Sequence, residues 1–190
     1  MKLATWNVNS IRQRLGHIVD WLNANEPDVP ALQELKVETD KFPYAEIEAT
    51  GYRSLVEGQK TYNGVALISR EEGTDVQRGI PEFPDEQRRV LAATYGDVRV
   101  INVYCPNGQS VGSDKYRYKL DWFDALGGWL ENELKKYPLL AIVGDFNVAP
   151  EDRDVHDPEA WREQILCSTP EREKIRSLLK LGLVDVFRQF

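Results

Sequence analysis

Two hydrophobic periods alternate along this chain, and the places where one gives way to the other mark its elements. Leu3–Val8 reads as a strand whose end turns polar at Asn7-Val8-Asn9-Ser10. From Arg12 to Asn25, Leu15, Ile18, Val19 and Leu22 recur at helical spacing, and Glu26-Pro27-Asp28 stops that helix. Val29–Gln33, Tyr52–Val56, Val65–Ser69 and Val90–Thr94 read as strands. Gly96-Asp97, set between Val90–Tyr95 and Val98–Tyr104, predicts a hairpin. Lys115–Lys136 is amphipathic, with Leu120, Phe123, Leu130 and Leu134 on or near one face. Leu139–Val143 predicts a buried strand. Thr169-Pro170 supplies an N-cap and first residue for a helix through Lys180, which Gly182 closes.

Hairpins and helices are mixed in this order, which favours a layered α/β protein over a repeated βαβ array. There is no repeat, low-complexity tract or Gly/Ser linker, so residues 1–190 are expected to form one domain. Composition adds little to the fold: 42% hydrophobic and 29% charged residues describe an ordinary globular chain. Charge adds more. With 24 Lys and Arg against 31 Asp and Glu, the net of −7 argues against a protein that works by neutralising long stretches of phosphate. A nuclease survives that test, because a bound metal ion supplies positive charge where it is needed. No apolar run approaches the roughly 20 residues of a membrane span, and the first residues lack the apolar core of a secretory signal. Two cysteines, Cys105 and Cys167, make no disulfide framework, so a reducing cytoplasm is the expected compartment. Two histidines, His17 and His156, are too few for a histidine-rich zinc site.

The polar residues that invite chemistry fall at strand ends: Asn7, Glu34, Tyr104 and Asp145. Gly144-Asp145-Phe146-Asn147 follows an apolar strand, and in extended backbone residues two apart project to one side. Asp145 and Asn147 then suit a phosphate and a hard cation, the carboxylate ligating or taking a proton and the amide donating to oxygen. A simple turn is the alternative. Glu34 ends the apolar strand Val29–Gln33, where a carboxylate is costly unless paired, metal-bound or turned to solvent. Asn7 is an amide where strands disfavour one. Tyr104 and Asn107 bring a phenol and another amide, or else an aromatic packing residue and an Asn-Gly turn. Two basic clusters stand out: Lys115, Arg117 and Lys119 against Asp114, and Arg88-Arg89.

Taken in order, Thr5-Trp6-Asn7-Val8-Asn9-Ser10-Ile11-Arg12, Leu32-Gln33-Glu34-Leu35-Lys36, Tyr62-Asn63-Gly64-Val65-Ala66, Tyr104-Cys105-Pro106-Asn107-Gly108 and Gly144-Asp145-Phe146-Asn147 closely resemble the exonuclease III family of DNA repair nucleases. That family lies within the endonuclease/exonuclease/phosphatase superfamily. Cys167-Ser168-Thr169-Pro170-Glu171-Arg172-Glu173 and Gly182-Leu183-Val184-Asp185 match as well, which points to this branch rather than to lipid or inositol phosphatases.

The resemblance implies an α/β (α+β) fold, a four-layer α/β/β/α sandwich of two packed mixed sheets. It implies hydrolysis of DNA phosphodiesters with Mg2+ or Mn2+, Glu34 holding the metal and Asp145 activating water or serving near the leaving group. Asn7 and Asn147 match residues that bind phosphate oxygen or metal-bound water, and Tyr104 matches an active-site tyrosine. Lys36 and Asn107 lie where relatives contact phosphate or partners of the metal site, and Tyr62 where they touch the DNA backbone. The implied partner is double-stranded DNA with abasic sites or 3′ ends, bound by a monomer with no membrane role. Relatives continue beyond the run Val184–Phe190 into a terminal Ser-Asp-His motif. The second sheet is therefore expected to be incomplete, the chain prone to aggregate, and its activity reduced. Two alternatives stand beside this reading: an inactive remnant that binds DNA or metal, and a phosphatase of the same superfamily.

Overall fold

Strands β1 (Leu3–Asn7) and β2 (Val29–Gln33) run parallel, with Asn7 opposite Gln33. The helix between them, α1 (Ile11–Asn25), supplies the crossover that a parallel pair requires. The structure is a computed structural model and describes residues 1–189; Phe190 lies outside the described residues. It divides into two compact units. One comprises Met1–Tyr104 with Tyr137–Asp145, the other Cys105–Lys136 with the chain from Phe146 onward.

The first unit holds two mixed four-stranded sheets. One has the order β1-β2-β4-β3, with β3 at Arg53–Glu57 and β4 at Val65–Ser69. The other has the order β5-β6-β7-β8, with β5 at Thr74–Arg78, β6 at Val90–Tyr95, β7 at Val98–Tyr104 and β8 at Leu140–Asp145. Alternation along the strands builds two cores. In β2 and β4, Val29, Ala31, Val65 and Leu67 point to one side and meet Leu91, Ala93, Tyr95 and Val100 of the second sheet. Leu32, Ala66 and Ile68 point to the other side and meet Ile18 and Leu22 of α1 and Ile47 of the short helix α2 (Tyr44–Glu48). Burial on both faces explains why β2 and β4 are continuous apolar runs rather than alternating ones. The mixed α/β class and the two packed mixed sheets are as the sequence led us to expect.

In the second unit, α3 (Asp114–Lys136) buries Tyr116, Lys119, Trp122, Phe123, Leu126, Trp129, Leu130 and Glu133, a stripe at three- and four-residue intervals. Leu120 and Leu134 sit at the margin of that stripe and are only partly buried. A short helix, α4 (Pro158–Trp161), precedes α5 (Thr169–Lys180), and Leu178 of α5 lies beside Gly127 of α3. The N-cap of α5 is Ser168 rather than Thr169. Ser168 and Glu171 form a reciprocal capping box, and Pro170 takes the second helical position, where no amide hydrogen is needed. Strand β5 and the short helices α2 and α4 escaped the sequence pattern. Strand β5 is largely polar, and α2 is a single turn, too short for a period to register. Among the described residues, no helix is long and apolar enough to cross a membrane.

Candidate active site

Parallel pairing brings carboxyl ends of strands together, and here each sheet contributes one such pair. At the tip of β1 and β2, Val8 N–H donates to Gln33 O at 3.0 Å and Ser10 N–H to Glu34 O at 2.8 Å, so the two exits stay tied past the ladder. Glu34 and Lys36 both adopt left-handed backbone, φ 55° and 56°. The Asn63-Gly64 turn holds them there, its carbonyls accepting from Lys36 N–H at 2.9 Å and Leu35 N–H at 3.1 Å. In the second sheet, parallel β7 and β8 place Tyr104 opposite Asp145. Gly144, before Asp145, has φ 143°, and a Cβ there would lie 1.9 Å from Val103 O. Only glycine lets β8 approach β7 this closely at the residue that sets the direction of Asp145.

The side chains of the first unit converge on one amide. Asn7 Nδ2 donates to Glu34 Oε1 and to Asp145 Oδ2, each at 2.8 Å, while Asn7 Oδ1 accepts from Asn9 N–H at 3.0 Å. Lys36 Nζ lies 3.0 Å from Glu34 Oε2 and also bonds Asn9 Oδ1. Burial alone would raise the Glu34 carboxyl, but hydrogen bonds from Asn7, Lys36 and Tyr104 outweigh it and hold the group below its ordinary value. Burial, followed by the bond to Glu34 and its charge, pushes the Tyr104 phenol the other way, far above its ordinary value. Tyr104 is therefore a protonated donor at neutral pH. Its ring carries the Arg89 guanidinium 4.9 Å from the centroid, and Arg89 Nη1 donates to Tyr104 O at 3.1 Å.

Beneath this cluster lies a buried amide pair that periodicity gave no reason to single out. Gln33 Nε2 donates to Asn102 Oδ1 at 2.7 Å, and Asn102 Nδ2 donates to Leu32 O and Ala66 O, both at 2.9 Å. The one signal in the sequence was an Asn inside the apolar strand Val98–Tyr104.

The remaining candidates divide between the units. Tyr62, in the first, is 67% exposed, and its ring is open to a partner. Asn107 and Asn147, in the second, are neighbours: Asn107 Nδ2 is 3.5 Å from Asn147 Oδ1, and Asn147 Nδ2 donates to Cys105 O at 2.9 Å. The period-two argument linking Asn147 to Asp145 does not hold, because β8 ends at Asp145 and Asn147 takes φ 50°. The two basic clusters also need correcting. Lys119 is fully buried against Glu171, and Arg89 is buried under Tyr104, so neither adds to a basic surface. Arg88 remains exposed but pairs with Glu57 at 3.0 Å. His17 and His156 are exposed, and Cys105 and Cys167 are buried free thiols.

This donor set suits a hard divalent cation. Glu34 and Asp145 are drawn to one amide, the ligating atoms on offer are carboxylate and amide oxygens, and among the described residues no group of three or more His, Cys, Asp or Glu is placed to hold a metal ion. Magnesium typically takes one or two carboxylates and keeps several waters, which matches so sparse a set.

Comparison with known proteins agrees in direction. Residues 4–182 match the Endonuclease/Exonuclease/phosphatase family. The chain is 34% identical to exodeoxyribonuclease III of Haemophilus influenzae, over all of this chain and 75% of that protein. Among solved structures, the 3′ phosphatase NExo from Neisseria, bound to a product DNA hairpin, superposes with a TM-score of 0.98 at 49% identity. That match covers 100% of this chain and 74% of the other. An AP endonuclease from Archaeoglobus fulgidus superposes with a TM-score of 0.93 at 39% identity, with coverage of 100% and 74%.

Proposed function

The chain belongs to the endonuclease/exonuclease/phosphatase family, and on that premise we propose that it is a DNA repair nuclease. It hydrolyses phosphodiesters with Mg2+ or Mn2+, acting on double-stranded DNA at abasic sites and 3′ ends, as a monomer in the cytoplasm. The observation that carries this reading is Asn7 Nδ2 shared between Glu34 and Asp145 at 2.8 Å each, which gathers two carboxylates at one point. The family match is continuous from residue 4 to 182, which supports treating residues 1–190 as a single catalytic domain.

A divalent cation, when bound, would neutralise phosphoryl oxygens and polarise the phosphorus centre. Glu34 is the carboxylate that would hold it, its charged form favoured by hydrogen bonds from Asn7, Lys36 and Tyr104. Asn7 fixes the separation of Glu34 from Asp145 and so the field that both present. Asp145 accepts a proton from the attacking water or steadies the leaving oxygen's proton. Tyr104, protonated, offers a positioned dipole that costs no reorganisation at the moment of reaction. Asn147 and Asn107 donate amide hydrogens to phosphoryl oxygen, Lys36 adds positive charge beside Glu34, and Tyr62 packs on the DNA backbone.

A second reading narrows the substrate to phosphate-blocked 3′ ends, favoured because a structure matching at 49% identity bears the name 3′ phosphatase. Three duplexes separate these activities: one with a single abasic site, one with a recessed 3′ hydroxyl and one with a 3′ phosphate, each incubated with magnesium. Release of product that chelation stops, and that Glu34→Ala abolishes, is the expected result. Duplex binding with no metal-dependent product on any of the three would instead identify a non-catalytic DNA-binding chain.

A further inference from the structure

Lys119 lies in the middle of α3 and is fully buried, as is its partner Glu171 at the start of α5. A charged pair in that position is expensive unless every donor and acceptor is met, and here the bonding is dense. Lys119 Nζ donates to Glu171 Oε1 at 2.5 Å, to Asn147 O at 2.6 Å and to Asn107 O at 3.2 Å. Glu171 Oε1 also accepts from Leu166 N–H at 3.1 Å. Its Oε2 accepts from Ser168 N–H at 3.2 Å and from Ser168 Oγ at 2.6 Å. Replacing such a pair with apolar residues usually leaves stability equal or higher, so stability alone does not explain its use.

What distinguishes the pair is where the ammonium spends its other two hydrogens. Both go to backbone carbonyls, and both carbonyls belong to the asparagines whose side chains meet each other. Asn147 is in strained left-handed backbone, φ 50°, and Gly108, directly after Asn107, has φ 92°. Glycine adopts such a conformation freely, but a non-glycine residue such as Asn147 keeps it only when its surroundings over-determine it. We propose that Lys119, anchored by Glu171, is a positioning residue that pins the Asn107 and Asn147 loops and so aims their two amides at the phosphate. This rests on the reading of those amides as phosphate donors.

The test uses the full chain carrying Lys119→Met together with Glu171→Gln, a near-isosteric change that removes both charges and keeps a residue competent for the capping box. The side-chain amide resonances of Asn107 and Asn147 are followed by 15N NMR, before and after addition of a duplex with a recessed 3′ end. The expected result is a folded protein in which these two amides lose their distinct shifts and become mobile while other Asn amides do not. Duplex cleavage should lose about 10- to 100-fold in kcat, the scale seen when a residue that orients a ligating side chain is removed, with little change in KM. Unchanged shifts and mobility at Asn107 and Asn147 in the folded variant would overturn the proposal, whatever its melting temperature. Glu171→Gln alone provides the same readout should the double variant fail to fold. If the wild-type amides ignore the duplex yet loosen in the variant, the pinning stands and the phosphate reading falls.

Discussion

Asn7 and Asp145 are 138 positions apart in the chain, yet Asn7 Nδ2 donates to Asp145 Oδ2 at 2.8 Å. The bond joins the carboxyl ends of β1 and β8, one strand from each parallel pair, β1 with β2 and β7 with β8. The other hydrogen of the same amide goes to Glu34. One neutral side chain therefore keeps two carboxylates from repelling each other before any cation arrives.

That role makes Asn7→Asp more informative than truncation. The substitution keeps shape but replaces two donated hydrogens by a third negative charge, so the variant should be destabilised without metal by about 2 kcal/mol. For a chain of this size that is about 4–8 °C in melting temperature. Added magnesium should restore most of the difference, because a cation then satisfies all three carboxylates. Thermal melts in chelator and in millimolar magnesium check this; equal melting temperatures for variant and wild type in chelator would count against the bridge.

Gly144 should tolerate no side chain. A methyl group would collide with the Val103 carbonyl of the neighbouring strand, at 1.9 Å from its oxygen. Gly144→Ala is expected to cost about 3 kcal/mol, the upper end for overpacking, and to displace Asp145. Gly16→Ala is the control: it lies within α1 with nothing within 4 Å of the added methyl, and should stabilise by about 0.5–1 kcal/mol. Urea denaturation midpoints of the two variants should move in opposite directions.

Acid should loosen the C-terminal turn, Val186–Gln189, whose Arg188 pairs with Asp154 in the second unit. Burial raises the Asp154 carboxyl, but hydrogen bonds from Arg188 and Glu151 N–H and the Arg188 and Arg153 charges outweigh it, so the group sits below its ordinary value. A depressed carboxyl contributes stability that is fully present above its unfolded value, near 3.9, and is lost as pH falls through the lower folded value. The destabilisation caused by Arg188→Ala should therefore be clear at neutral pH and shrink steadily as pH falls below the ordinary carboxylate range and Asp154 takes up its proton. A difference in melting temperature that persisted undiminished at low pH would contradict the pairing.

Much of the architecture could be read from the chain because the strands carry their own pattern. Val29–Gln33, Val65–Ser69 and Val98–Tyr104 begin and end where the apolar runs do, and Gly96-Asp97 closes the hairpin as its residue types require. Strand β5 was invisible since Thr74-Asp75-Val76-Gln77-Arg78 lies at a sheet edge and needs no apolar alternation. In the site, Asn7, Glu34, Tyr104 and Asp145 were marked by polar residues at strand ends. The part played by Lys119 was not, because a lysine two residues from Arg117 and four from Lys115 on an amphipathic helix looks like solvent-facing charge. Burial of an ion pair depends on what another helix brings, here Glu171 from 52 residues away, and no local pattern records that. Arg89 under Tyr104 escaped for the same reason.

Manganese offers the sharpest probe of whether the strand tips hold a cation. It replaces magnesium at oxygen sites and, being paramagnetic, broadens NMR signals around wherever it binds. Titrated into the labelled chain at substoichiometric levels, it should erase the side-chain amide of Asn7 and the backbone signals of Glu34, Tyr104 and Asp145 first, and Glu34→Ala should abolish this selectivity. Broadening that instead centres on surface carboxylates elsewhere, or that is the same in Glu34→Ala, would show that Asn7 joins two carboxylates for structural reasons alone.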